Sequence, residues 1–190
     1  MNLKAQQKII SRQRIINVAS RLFKTNGYAA TGIDQIMEEA GLTAGGFYAH
    51  FKSKTHLLEE SLEHSLNKSR ELLLKGTENL AGPEKNKLIM KKYVSLIHRD
   101  LVENGCIIPA LGSEIYRGSK KNNKLVENYL SGWVDILVTN MQSDENESEK
   151  RKRAFAWISQ AVGAILLSRI TNEFSMSEEW INSAQLNFKL

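Results

Sequence analysis

The stretch Ala40–Lys54, AGLTAGGFYAHFKSK, decides how the rest of the chain is interpreted. Gly41 is typical of a residue that ends a helix, and Thr43 is typical of a residue that begins one. Two glycines follow, although each glycine inside a helix costs about 1 kcal/mol relative to alanine. Because glycine has no side chain, we interpret Gly45 and Gly46 as positions where a large partner approaches the backbone closely.

Two segments with helical periodicity precede this stretch. The apolar residues of the first recur at i, i+3, i+4, i+7 and i+8, which predicts a helix over about residues 8–26 that Gly27 ends. Thr31 is expected to open a second helix, with Asp34 three residues later as its capping-box partner.

A third, short helix is expected to begin after its cap residue, Thr43, and to run to about Ala49. Its Phe47 and the nearby Phe51 are expected to pack against the first two helices. Three helices within some forty residues, the last two joined by a tight glycine turn, predict a helix-turn-helix arrangement.

The remainder of the chain is also predicted to be helical, so the expected fold class is all-α. We expect two domains, residues 1–56 (the head) and residues 76–190 (the body), joined by a connecting helix over 53–75. Within the body, helices are expected from Pro83 to about Asn104, from Pro109, and over about 122–141, 147–172 and 178–188. The side chains expected to face inward from the first of these are Tyr93, Leu96, Ile97 and Leu101. The expected capping signals are Asp144 with Glu147 for the fourth and Ser177 for the last.

The positive charge of the chain is concentrated in the head. The whole chain has a formal net charge of +5, with 42% hydrophobic and 25% charged residues, which is ordinary for a globular protein. The head holds eight lysines and arginines against three acidic residues, so it accounts for the entire excess and leaves the rest neutral. A basic head on a neutral body indicates a partner that is a polyanion, such as nucleic acid.

Several classes of protein are disfavoured. A single cysteine, Cys106, excludes an internal disulfide and fits a reducing cytoplasm. The most apolar stretch, 154–167, is too short to span a bilayer, and the N-terminus lacks the apolar region of a signal peptide. No nucleotide-binding loop, nucleophile elbow or HExxH zinc motif occurs, so we expect no enzyme, cofactor or metal. The i, i+4, i+8 spacing of His56, Glu60 and His64 could form a metal site, although a solvated helix face is favoured.

Residues 12–58 resemble the DNA-binding domain of the TetR family of bacterial transcriptional repressors. The resemblance is carried by Gly27-Tyr28, Thr31, Ile33, Ile36, Ala40 to Thr43, Gly46 to Tyr48, His50-Phe51, Ser53-Lys54 and Leu57-Leu58. In the body, Gly105-Cys106 with Leu111 and Glu114 is similar to a pattern of members related to multidrug-responsive repressors. The resemblance implies a repressor that binds a palindromic operator in double-stranded DNA as a homodimer and is released by a small hydrophobic effector.

The chemistry of the short third helix agrees with such a role. Thr43 and the free amides after it can bind a phosphate, Ala44 can contact a thymine methyl group, and the two glycines let the backbone approach. Tyr48 can reach a phosphate or a base edge, although packing at the edge of the core is an equally open alternative. The resemblance implies phosphate contacts for three further residues, Thr31, His50 and Lys54. Arg12 and Arg14 are additional candidates for phosphate or minor-groove contacts.

Some positions depart from the family pattern. Many members carry a basic or polar residue at position 44 and a hydroxyl residue at position 46, where this chain has Ala44 and Gly46. Few side-chain donors therefore remain for reading bases.

The body is expected to pair two chains and to bind the effector. The helix from Glu149 to Thr171 combines small residues with apolar ones, which favours close packing against a second chain. The resemblance implies that the last two helices form this homodimer contact. The residues expected to contact the effector are Tyr93, Ile97, Cys106, Ile108, Leu111, Tyr116, Tyr129, Trp133 and Trp157.

Three alternatives remain open from the sequence. Cys106 could be an accessible thiol that senses oxidants, although a buried inert cysteine is the more common case. The run Lys150–Arg153 could be a second nucleic-acid patch, although acidic residues precede it and a solvated face is favoured. Finally, the protein could be a helical small-molecule-binding or enzymatic protein, or a structural dimerisation module, whose basic head is incidental.

Overall fold

The computed structural model describes residues 2–188, which form nine α-helices and two 3₁₀ helices and include no strand. The all-α fold class is therefore confirmed. Met1, Lys189 and Leu190, at the ends of the two predicted domains, lie outside the described residues. The α-helices are α1 Leu3–Asn26, α2 Ile33–Glu39, α3 Lys54–Leu74, α4 Gly82–Tyr93, α5 Leu96–Asp100, α6 Ile108–Arg117, α7 Lys120–Thr139, α8 Glu147–Ile170 and α9 Phe174–Asn187, and the 3₁₀ helices are Ala44–Ala49 and Val102–Asn104.

Helix α1 begins five residues earlier than predicted. Its first turn is exposed and has no repeating apolar face, so hydrophobic periodicity carries no signal there, but Asn2 caps it by accepting a hydrogen bond from the Lys4 amide at 3.2 Å. The helix ends at Gly27, as predicted, and Gly27 has the positive φ of +83° that disfavours other residues.

Helix α2 is not opened by Thr31, which corrects the prediction. Its N-cap residue is Gly32, and the Thr31 side chain is fully buried. The Thr31 hydroxyl donates back to the carbonyl oxygens of Gly27 at 2.7 Å and Leu22 at 3.3 Å. It therefore ties the loop before α2 to the end of α1. The predicted stop at Gly41 is confirmed, because Gly41 adopts a φ of +67°.

Helix α3 runs from the head into the body. Ser53 caps it by accepting a hydrogen bond from the His56 amide at 3.1 Å. Leu57, Leu58 and Leu62 are buried where α3 packs along α1, and Leu73, near the other end, is buried within the body. One helix thus belongs to the packing of both parts.

The helix predicted from Pro83 to Asn104 is broken in two, which corrects the prediction. Helix α4 ends at Tyr93, and Ser95 caps α5 by accepting from the His98 amide at 3.1 Å. The break changes the helical phase. As a result, Leu96, Ile97 and Leu101, which were predicted to face inward with Tyr93, are exposed.

Helices α7 and α8 lie within two residues of their predicted bounds, whereas α9 begins four residues earlier than predicted, and the capping of α8 and α9 differs from the prediction. The capping box of α8 consists of Asn146 and Glu149 instead of Asp144 and Glu147. Ser177 does not cap α9, because α9 begins at Phe174 and the Ser177 hydroxyl donates to the Ser168 carbonyl at 2.6 Å. Helix α8 packs against both α7 and α9, and its Trp157 and Ile165 are buried within the chain.

Candidate nucleic-acid interface and effector cavity

The segment after Gly41 is held to the head by its aromatic side chains. The ring of Phe47 is fully buried and lies 5.7 Å from the ring of Phe51, which is also buried. The segment Ala44–Ala49 is a 3₁₀ helix, not the expected α-helix. Thr43 occupies its N-cap position with extended backbone, but its side chain makes no capping hydrogen bond. The position of the helix was predicted correctly, and its type and side-chain cap were not.

The opposite face of this helix points away from the protein. Thr43, Ala44 and Gly45 are exposed, and Tyr48 has 71% of its surface accessible. The Tyr48 ring rests edge-on against Phe47, with 5.2 Å between ring centroids. The head thus presents one aromatic side chain and a bare backbone on a rigid support.

The two glycines of this helix are not required by the protein itself. Neither Gly45 nor Gly46 has positive φ. A Cβ atom at Gly45 would meet nothing within 4 Å, and one at Gly46 would lie 3.6 Å from the Thr43 hydroxyl oxygen, an ordinary contact. The fold would accept side chains at both positions, so the reason for two glycines lies outside the chain.

His50 and Lys54 lie at the border of this surface and are partly buried. The His50 Nδ1 atom is buried without a hydrogen-bond partner, and burial, aided by the charges of Lys8 and Arg12, lowers the pKa of His50. The Lys54 ammonium lies 4.3 Å from the centre of the Tyr28 ring, and burial lowers the pKa of Lys54. Their expected phosphate contacts stay predictions.

Three other candidate DNA contacts are used inside the head. Thr31 is fully buried, so its hydroxyl is not available to a phosphate. The Arg12 guanidinium pairs with Glu60 and lies 4.7 Å from the centre of the Phe51 ring. Arg14 donates to the carbonyl oxygen of Ala40, at the end of α2, at 3.1 Å. Arg14 nevertheless remains exposed and Arg12 is only partly buried, so their expected DNA contacts stay predictions.

Two long-range hydrogen bonds connect the head to the body, and neither was foreseen. The Tyr28 amide donates to Glu114 Oε1 of α6 at 2.9 Å. The Lys24 ammonium, at the end of α1, donates to the Gly105 carbonyl oxygen at 3.3 Å. Burial, followed by the charge of Lys68, lowers the pKa of Lys24 to about 8. No local sequence signal could indicate either contact, because the partners are far apart along the chain.

A small cavity of about 40 Å³ lies between α3, α4, α7 and α8. Among the residues that line it are five of the nine predicted effector contacts, namely Tyr93, Cys106, Ile108, Tyr129 and Trp133. The hydroxyls of Tyr93 and Tyr129 have no partner of ordinary hydrogen-bond geometry. Burial raises the pKa of Tyr129 to about 12 and also raises the pKa of Tyr93 well above its usual value. The cavity therefore offers an apolar wall and two neutral hydroxyls.

The other four predicted effector contacts lie elsewhere. Leu111 and Trp157 are buried in the core and do not line the cavity. Tyr116 is 78% exposed, because it points away from the face of α6 that buries Leu111 and Ile115. Ile97 is exposed by the break after Tyr93 and lines a separate, open groove.

His98, for which no sequence pattern indicates a role, supports the wall of this cavity. Its Nδ1 atom lies 2.6 Å from the Tyr93 carbonyl oxygen, and its Nε2 atom accepts from the Cys106 amide at 2.9 Å. Burial lowers the pKa of His98 to about 4. A neutral imidazole that donates from Nδ1 and accepts at Nε2 satisfies both contacts.

The thiol of Cys106 is buried, and burial raises its pKa. Reactive cysteines are exposed thiolates with a lowered pKa. The geometry therefore favours the inert alternative for Cys106.

The run Lys150–Arg153 forms ion pairs, as expected for a solvated face. Arg151 lies 2.9 Å from Asp135, and Arg153 pairs with Glu145.

His56 and His64 do not come together as metal ligands. His56 Nε2 lies 2.9 Å from Glu60, whereas His64 Nδ1 lies 3.5 Å from the Gln13 side-chain amide nitrogen. Across residues 2–188, no three His, Cys, Asp or Glu side chains are arranged to hold a metal ion.

In the part of the chain that the structure describes, no helix has the length and apolar character needed to cross a membrane.

Comparisons with known proteins agree with this geometry. Residues 15–61 match the family described as bacterial regulatory proteins, tetR family. YerO of Bacillus subtilis (strain 168), an HTH-type transcriptional regulator, is 36% identical over 103 residues, which span 54% of this chain and only 35% of YerO. YxaF of the same organism, also an HTH-type transcriptional regulator, is 26% identical over 166 residues, 86% of each chain.

The fold extends the likeness to nearly the whole chain. A TetR transcriptional regulator from Chloroflexus aurantiacus J-10-FL superposes with a TM-score of 0.80 over 95% of both chains, at 21% sequence identity. Residues 15–61 are therefore assigned to the tetR family of bacterial regulatory proteins, and nearly the whole chain has the fold of a TetR regulator.

Proposed function

We propose that the protein is a repressor that binds a palindromic operator as a homodimer and leaves it when a small effector enters the body. The observation that carries the proposal is the division of the 3₁₀ helix Ala44–Ala49 into two faces. Its buried Phe47 fixes the helix to the head, while Tyr48 and the bare backbone of Gly45 face outward. A major groove about 12 Å wide admits such a helix.

Homodimer formation through α8 and α9 is supported by unpartnered apolar side chains. Phe155, Leu166 and Ile170 are exposed and share one face of α8 at a spacing of i, i+11 and i+15. A Cβ atom at Gly163, near this face, would meet nothing within 4 Å of the same chain. A second copy packed here would place two heads side by side, as a two-fold symmetric operator requires.

The dimer can be tested by changing Leu166 to Glu. Two carboxylates facing each other in an apolar contact are costly to bury, so we expect at least a hundredfold weaker dimerisation. Sedimentation velocity measures it, and Tyr116→Glu, which changes an exposed side chain of α6, is the control. A dimer unchanged by Leu166→Glu would contradict the assignment.

Effector release is supported by the contacts between cavity and head. The cavity of about 40 Å³ is far smaller than the about 300–1,000 Å³ of typical ligand sites, so an effector must move its walls. Cys106 in that wall directly follows Gly105, whose carbonyl oxygen accepts from Lys24 at the end of α1. An effector that favours a shifted wall would therefore change the position of the head.

The proposed operator binding is tested with DNA from upstream of the protein's own gene. Footprinting locates the site, and fluorescence anisotropy measures affinity as salt is varied. We expect the logarithm of affinity to fall linearly with the logarithm of salt, by about 0.9 per phosphate contacted.

Two exposed tyrosines provide a matched pair of variants. We expect Tyr48→Ala to lower operator affinity about tenfold, and Tyr116→Ala, in the body, to leave it unchanged. Absence of sequence-selective duplex binding at low salt would refute the proposed function.

A further inference from the structure

A second, larger recess opens on the surface beside the cavity. This groove, of about 670 Å³, lies between α3, α4, α5 and the turn at Gly105. Its volume falls within the about 300–1,000 Å³ of typical ligand sites, unlike that of the smaller cavity. The groove and the cavity share two wall residues, Leu73 and Cys106.

The groove exposes apolar side chains that a globular protein ordinarily buries. Leu72, Ile97 and Leu101 all line it and all are exposed, Ile97 by 72%. Single exposed apolar residues are common on protein surfaces, but several around one recess indicate a binding surface. Ile97 and Leu101 reach this recess because the chain breaks after Tyr93 and α5 takes a new direction.

The polar lining of the groove is cationic. Lys68, Lys91 and Lys92 line it, and within the described residues no Asp or Glu does. The Lys92 ammonium donates to the carbonyl oxygens of Leu72 and Lys75 at the end of α3. Lys68 and Lys91 are exposed and make no ion pair with any residue from 2 to 188. Three like charges around one recess repel each other, and an anion would relieve this repulsion.

We propose that this groove binds amphipathic anions, with an apolar chain against Leu72, Ile97 and Leu101 and an acidic group between Lys68 and Lys91. The proposal names the effector class of the proposed function and rests on that function only for the consequence at the operator. Because Leu73 and Cys106 separate the groove from the cavity, an apolar chain that displaces them would extend inward. The charge of the lining selects an anion over a cation of equal apolar area.

The test uses three ligands that share a ten-carbon chain, each below its micelle concentration. Isothermal titration calorimetry on the full chain compares decanoate, decyltrimethylammonium and 1-decanol, and circular dichroism verifies that the protein stays folded. We expect decanoate to bind at least tenfold more tightly than decyltrimethylammonium, with 1-decanol between them. Equal binding of anion and cation, or no binding of decanoate, would overturn the proposal.

Variants locate the binding site. We expect Lys68→Gln with Lys91→Gln to weaken decanoate binding about tenfold. The control, Lys87→Gln, removes a charge from the same helix α4 at an exposed position that does not line the groove. Ile97→Asn, at a side chain already exposed, should weaken decanoate and 1-decanol alike. Decanoate binding that is unchanged in the double variant would exclude this groove.

Two further outcomes separate this inference from the proposed function. If decanoate binds as described but no duplex is recognised, the groove assignment stands and the repressor assignment fails. If the operator is bound but decanoate is not, the groove assignment alone fails. A monomer produced by Ile97→Asn would place a second copy of the chain in the groove and would also overturn the proposal.

Discussion

The head and the body are both packed from amphipathic helices, but buried polar side-chain atoms without a partner are more numerous in the body, whereas within residues 2–56 the only such atom is His50 Nδ1. In the head, the Thr31 hydroxyl contacts two carbonyl oxygens, and Arg14 contacts the last turn of α2. In the body, the hydroxyls of Tyr93 and Tyr129 and the side-chain amide of Asn122 are buried without partners. A buried polar group without a hydrogen-bond partner lowers stability. A region with several such groups is therefore a candidate for binding a ligand or for a second conformation that pairs them.

This difference in pairing fits the two roles proposed for the head, which binds DNA, and for the body, which binds an effector. A surface that reads DNA must hold its geometry, and the head does so with a dense core around Phe47 and Phe51. A site that releases DNA must have more than one stable arrangement. The body has a cavity, a groove and buried hydroxyls without partners, which are the features that the proposed release of DNA would require.

The largest expected effect concerns the core of the head. Replacing the fully buried Phe47 by Ala removes the side chain that fixes the DNA-facing helix, and we expect a loss of about 3–5 kcal/mol in the free energy of unfolding. Urea denaturation monitored by circular dichroism measures this. Tyr48→Ala, at the exposed neighbour, should change stability by less than about 0.5 kcal/mol. Equal losses in the two variants would mean that the helix does not have separate structural and DNA-facing sides.

A smaller effect concerns the contact between the two parts. The pKa of Lys24 is lowered from 10.5 to about 8 in the folded protein. Between these values the folded protein has released the proton and the unfolded chain still binds it, so stability rises with pH through this window. Partial solvent screening reduces the gain to about 2 kcal/mol.

The variant Lys24→Met isolates this contribution. We expect the stability difference between wild type and Lys24→Met to shift in favour of wild type as pH rises from 7 to 10, measured by urea denaturation at each pH. A difference that does not change with pH would show that Lys24 is not buried against Gly105.

The smallest effect compares one buried hydroxyl from each part. Thr31→Val removes a hydroxyl that donates to two carbonyl oxygens, and we expect a loss of about 1 kcal/mol. Tyr93→Phe removes a hydroxyl without a regular partner, so stability should be unchanged or slightly higher. Thermal unfolding of both variants tests this difference. A similar loss of stability in Thr31→Val and Tyr93→Phe would contradict it.

Local signals explain what could be predicted from the sequence. Helical periodicity and glycine stops predicted the all-α fold and the ends of α1 and α2, because each signal lies within a few residues of its effect. The break after Tyr93 has no glycine or proline to announce it, so a single long helix was predicted there. The prediction for Thr31 is wrong because a threonine before a helix can either cap that helix or donate a hydrogen bond to an earlier carbonyl oxygen, here that of Gly27. The local sequence does not distinguish the two.

The candidate DNA-binding and effector sites show the same contrast between features that depend on local sequence and features that depend on tertiary packing. The pattern of the third helix predicted that Phe47 points inward, but it left open whether Tyr48 packs at the edge of the core or is exposed, as the structure has it. The cavity depended on contacts between distant helices, and only five of the nine predicted residues line it. The contacts of Lys24 with Gly105 and of Tyr28 with Glu114 depend on tertiary packing that no local pattern records.

The shared helix α3 turns small movements into larger ones. Its 21 residues span about 31 Å at 1.5 Å per residue, with Leu73 in the wall of the cavity and Leu57 in the head. A rigid rod of this length that tilts by about 5° at one end moves its other end by roughly 3 Å. In a two-fold symmetric pair both rods would tilt at once, so the spacing between the two DNA-facing helices could change by up to about twice that distance. A shift of Leu73 by about the width of a methyl group would then move the two DNA-facing helices out of register with the two halves of the proposed operator.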